Sequence, residues 1–131
     1  MKTRKIKIAG RAFELLFNYA ALAELYDAIE GFDLGEILTY VKTPKFLPVL
    51  IAILARAGEA AAGRTLDVDA AWFASHMRPS PVSVMKIQVA VNEALADGML
   101  METEEEETGE VDVTLEELKK KETQDGLPSG S

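Results

Sequence analysis

The N-terminal residues alternate between apolar and polar. Ile6 and Ile8 share one face of residues 5–9, and Phe13, Leu15 and Phe17 share one face after Gly10. Two period-2 runs around Ala9-Gly10-Arg11 predict a β-hairpin, with Gly10 supplying the positive φ that a short turn wants. A lone hairpin is marginal in water, so its apolar face must rest on helices.

From Asn18, read as an N-cap, the period becomes helical. Leu22, Leu25, Tyr26 and Ile29 fall on one helix face, and Gly31 is placed to end that helix. Asp33 heads a second, shorter helix with Leu34, Ile37, Leu38 and Val41, broken at Thr43-Pro44. The third helix is expected over residues 45–57, with Pro48 in its first turns. Phe46, Leu47, Val49, Leu50, Ile51, Ile53 and Leu54 make it apolar nearly all round, the mark of a central helix. Gly58 and Gly63 bracket an alanine-rich end expected to fray. Asp67 is read as the cap of a fourth helix over residues 68–76, with Trp72 and Phe73 as its bulk. Ser80 caps a fifth helix with Pro81 at its first position. Val84, Ile87, Val91 and Leu95 form its inner face, and Gly98 is expected to end it.

Residues 102–110 are acidic with little to bury, so disorder is expected there. Thr114-Leu115-Glu116-Glu117 is a capping box that supports at most a short, transient helix. The pattern predicts a mainly α, α+β protein. A β-hairpin packs on a compact bundle of about five helices in residues 1–101, followed by a disordered, flexible acidic tail in residues 102–131.

Charge sharpens this division. The net charge is −8. Residues 1–101 balance 11 basic against 11 acidic side chains, whereas residues 102–131 carry 11 acids against Lys119, Lys120 and Lys121. Such a balance argues against nucleic acid, which needs a phosphate-neutralising face, and an acidic tail repels anionic membranes too. The longest apolar stretch, residues 46–55, is far short of the roughly 20 residues of a membrane span. No secretory signal is visible. The chain is therefore expected to be soluble and intracellular. With no cysteine, disulfides and thiolate chemistry are excluded.

Little else points to chemistry. His76 is the one histidine, and a lone histidine reads as structural or merely exposed. No zinc-ligand spacing, EF-hand pattern or phosphate loop is present. No catalytic residue, metal or cofactor is expected, and the chain is read as a non-enzyme. The basic run Lys2, Arg4, Lys5, Lys7 and Arg11 reads first as protection of a strand edge. Its functional reading is docking of an acidic segment, including this chain's own tail. The last two helices offer Lys86, Gln88 and Asn92 but no arginine, a weak helix-turn-helix. Met99, Leu100 and Met101 form either an adaptable binding surface or a core plug. With the acidic run Glu104, Glu105, Glu106 and Glu107 they are the candidate partner-binding residues.

The order of elements resembles a known family. A hairpin ending in an aromatic precedes Ala21-Leu22-Ala23-Glu24-Leu25-Tyr26. Gly31-Phe32-Asp33-Leu34-Gly35-Glu36-Ile37-Leu38, an apolar helix, an aspartate-headed helix, a last amphipathic helix and a charged C-terminus follow. Over residues 5–101 this is similar to the tail assembly chaperones of long-tailed bacteriophages and prophages. The resemblance implies a protein that binds the helical tape measure protein, keeps it soluble and helps recruit tail tube protein. It implies action in the cytoplasm of the bacterial host and absence from the mature virion. It also implies a longer product made by ribosomal frameshifting, for which the A-rich codons of Lys119, Lys120 and Lys121 are a candidate slippage region. Those lysines equally balance a helix end near Glu116 and Glu117. A generic helical adaptor or regulatory module with another partner stays open, as does a homo-oligomer.

Overall fold

A computed structural model describes residues 3–107, with the side chains of residues 3–100. Two units divide the chain, Met1–Gly98 and Met99–Ser131. The first contains a two-stranded antiparallel hairpin, β1 (Arg4–Ile8) and β2 (Arg11–Leu15), followed by helices. These are α1 (Tyr19–Ala28), a 3-10 turn at Leu34–Glu36, α2 (Ile37–Lys42), α3 (Leu47–Ala61) and α4 (Ala70–His76). The last, α5 (Pro81–Glu107), begins in this unit and continues past its end. The α+β expectation, a hairpin followed by five helices, holds.

The alternation read from sequence sets the register. Ile6 pairs with Phe13 and Arg4 with Leu15. Ile6, Ile8, Phe13 and Leu15 are all buried. The turn closes on Ala9 and Gly10, at φ 53 and 81. Positive φ at both positions is what a type I′ turn demands, so Ala9 carries a left-handed strain that the glycine avoids.

Helix α3 is the centre, as its apolar sequence predicts, with Leu50, Ile51, Leu54 and Ala55 fully enclosed. It also seals the free edge of β2. The Leu16 N–H donates to the Leu54 carbonyl at 3.0 Å, and the Glu14 N–H donates to the Glu59 carboxylate at 3.0 Å. An unpaired strand edge is thereby satisfied by a helix. Gly58 permits this approach. A Cβ there would lie 2.5 Å from the Glu14 carbonyl carbon. The glycine does not end the helix, which passes through it, buried against β2, to Ala61.

Aromatic rings brace the α1–α2–α3 corner. Phe32 meets Tyr26 edge-on at 4.8 Å and stacks on Tyr40 at 5.1 Å, and Tyr40 meets Phe46 at 5.2 Å. Tyr26, expected on the buried face of α1, is exposed, with its ring edge against Phe32.

Several boundaries differ from the sequence reading. Asn18 does cap α1, accepting from the Ala21 N–H at 2.9 Å, but the helix ends at Ala28 and Gly31 lies in the following turn. Asp33 accepts from the Gly35 N–H and heads a 3-10 turn before α2. The cap of α4 is Asp69, which accepts from the Trp72 N–H at 2.9 Å, and Asp67 instead pairs with Arg11 at 2.8 Å. Gly98 does not stop α5, which runs on to Glu107. There the missing side chain serves packing, since a Cβ would stand 3.0 Å from the Phe17 Cβ. Residues 102–107, expected to be disordered, are therefore helical, and the rest of the expected tail lies outside the described residues.

Candidate functional site on the outer face of the last helix

Helix α5 starts as its sequence predicts. The Ser80 hydroxyl accepts from the Ser83 N–H at 3.2 Å, and Pro81 is the first helical residue. Ile87, Val91, Ala94 and Leu95 are buried and join the common core. The Gln88 amide donates to the Val41 carbonyl at 3.3 Å. Near the end of the first unit the helix is clamped to β1. Arg4 reaches Asp97 with two nitrogens, at 2.6 and 3.1 Å, and Glu93 at 3.6 Å. The Asp97 carboxylate holds the Arg4 guanidinium above its ordinary pKa.

The opposite face of α5 carries a second apolar row. Val82, Met85 and Val89 are 59%, 55% and 48% exposed. Asn92 and Ala96 continue the row and are also exposed. The spacing of 82, 85, 89, 92 and 96 alternates three and four, the period of a coiled-coil seam. Lys86 and Glu93 flank it with charge. By sequence the same spacing reaches Met99. A helix apolar on two sides needs a cover for each, and within the first unit the core covers only one.

The central helix offers less than the sequence suggested. Its large apolar side chains are all buried or half-buried, so it presents no apolar edge. What reaches the surface is Arg56, paired with Glu24, between two shallow clefts of about 510 Å3 each.

Electrostatics elsewhere is structural. Glu59, buried, receives Arg64 Nε at 2.6 Å and the Glu14 N–H. The Arg64 hydrogen bond, aided by that N–H, holds the Glu59 carboxyl below its ordinary pKa against the cost of burial. Glu14 is also lowered, first by the Thr3 hydroxyl and then by Arg64. His76 stacks on Trp72 at 4.1 Å with Nδ1 against the Trp72 carbonyl at 2.8 Å, so Nδ1–H donates to that oxygen. Among the described residues no three His, Asp or Glu side chains converge on a metal position, and no single helix is long and apolar enough to cross a membrane.

Of the partner-binding candidates, Met99 and Leu100 are exposed on α5, in the second unit. The side chains of Met101, Glu104, Glu105, Glu106 and Glu107 lie outside the described residues, as do Lys119, Lys120 and Lys121 entirely. Val82, Met85 and Val89 went unnoticed in the sequence, although the three-four spacing was legible there. The stronger inner period of Val84, Ile87, Val91 and Leu95 masked it. No protein-family model matches the chain, and no significant match was found among curated proteins or solved structures.

Proposed function

We propose that this chain is a holder of amphipathic helices, a tail assembly chaperone whose α5 outer face receives a helix of the tape measure protein. The observation that carries the reading is the exposed row Val82, Met85 and Val89 at coiled-coil spacing. A helix presenting its own apolar stripe completes such a row in the helix-in-groove manner. Ala96 lets the two backbones approach. Asn92 within the row fixes register at some cost in stability, as a polar seam residue does.

The magnitudes suit a transient holder. The three large side chains are already half withdrawn from water, so covering them contributes about 1 kcal/mol each. A sum of about 3 kcal/mol, before the costs of association, falls well short of the roughly 8 kcal/mol of a micromolar complex. Avidity along a long repetitive partner makes up the difference and leaves each contact releasable. A chaperone that must give its client to the tail tube protein needs that reversibility.

On this reading the protein is not an enzyme, acts in the cytoplasm of the bacterial host and leaves before the virion is complete. Slippage at Lys119, Lys120 and Lys121 would supply a longer form that recruits the tail tube protein. The test is co-expression with a tape measure protein from the same genome. That protein is expected in the soluble fraction with the intact chain and in the pellet with Met85→Glu plus Val89→Glu. Equal solubility with and without the chain would sink the reading.

A further inference from the structure

A cleft of about 480 Å3 lies between the hairpin turn and the start of α5. Lys7 and Gly10 line it from the hairpin, His76 and Arg78 from the end of α4 and the turn beyond, and Ser83 and Lys86 from α5. No carboxylate lines it among the described residues. In a chain of net charge −8 this is an unusual place. Every other described arginine meets an acid. Arg4 meets Asp97, Arg11 meets Asp67, Arg56 meets Glu24 and Arg64 meets Glu59. Arg78, Lys7 and Lys86 are exposed and make no ion pair among the described residues. Cations gathered round one concavity focus a positive potential between its walls, and the positive end of a long helix adds to it.

We propose that this cleft docks the acidic segment of residues 102–110 from a second copy of the chain. That segment holds Glu102, Glu104, Glu105, Glu106, Glu107 and Glu110, and no basic residue occurs after Lys86 until Lys119. The match is one of charge, six carboxylates against a cleft with three unpaired cations. Residues 102–107 prolong the helix whose first turns carry Lys86. Donation between two copies lets the cleft of each be filled by the segment of the other. The exchange is reciprocal, each copy giving its segment to the other's cleft, which makes a closed two-fold pair.

Sedimentation of the full chain tests this. Wild type associates at low ionic strength and comes apart near 1 M salt, where the Debye length is about 3 Å. Two variants reverse the charges. One carries Arg78→Glu and Lys86→Glu, and the other carries Glu104→Lys, Glu105→Lys, Glu106→Lys and Glu107→Lys. Each alone loses association by about tenfold or more, and an equimolar mixture of the two regains it. Arg78 and Lys86 are exposed, so unchanged thermal melts show that the fold survives. A wild-type chain that stays monomeric at low salt, or reversed chains that fail to recover on mixing, overturns the proposal. Either result leaves the helix-holding reading untouched, because that reading is assayed through Met85 and Val89.

Discussion

Gly58 of α3 and Glu14 of β2 meet backbone to backbone, so closely that a Cβ on the glycine would lie 2.5 Å from the Glu14 carbonyl carbon and 3.0 Å from the Leu15 nitrogen. The obstacle is main chain on both sides and cannot swing away. Gly58→Ala is therefore expected to destabilise the protein by about 3 kcal/mol or more, against the gain of up to about 1 kcal/mol that the same change gives in an open helix. Urea unfolding of the two proteins measures the difference.

The Glu59 carboxylate ties the same junction together and gives it a pH dependence. Its pKa is lowered in the fold, chiefly by Arg64. A lowered carboxylate contributes stability that is present above its ordinary range and lost as pH falls through the depressed value. Melting temperature is expected to hold from neutral pH down to about 5 and to fall steeply below about 4. Glu59→Gln keeps the shape but not the charge, so it starts less stable and declines less across that window.

The two aspartates before α4 separate a cap from an ion pair. Asp69→Ala removes the acceptor for the Trp72 N–H and is expected to cost about 1 kcal/mol. Asp67→Ala loses an exposed pair with Arg11 and is expected to cost less than Asp69→Ala, because a solvated ion pair contributes little. A reversed order in thermal or chemical unfolding would contradict the capping assignment.

At the hairpin tip, Ala9 occupies φ 53, where an alanine is disfavoured by roughly 1 kcal/mol or more. Ala9→Asn, suited to the first position of a type I′ turn, is expected to raise the melting temperature by a few degrees.

The contrast among these sites explains what the sequence disclosed. Elements with a clean period and a local signal were legible: the alternation of Ile6, Ile8, Phe13 and Leu15, the caps at Asn18 and Ser80, and the apolar centre of α3. Asp67 and Asp69 offer the same local signal two residues apart, and only the position of Arg11, far away in sequence, decides between them. Gly58 and Gly98 read as helix ends because a glycine's local meaning is a break. Both are close approaches to a distant backbone, which no local pattern carries. The row at Val82, Met85 and Val89 was present as spacing, but its exposure depends on which face of α5 the core takes.

That row is the central claim, and photocrosslinking tests it most directly. A photoreactive phenylalanine analogue is placed singly at Val82, Met85 or Val89, or at exposed Tyr19 or Leu38 on α1 and α2, in cells producing the tape measure protein. The α5 positions are expected to crosslink to that protein and the other two are not. Crosslinks confined to Tyr19 or Leu38, with none from α5, would contradict the assignment.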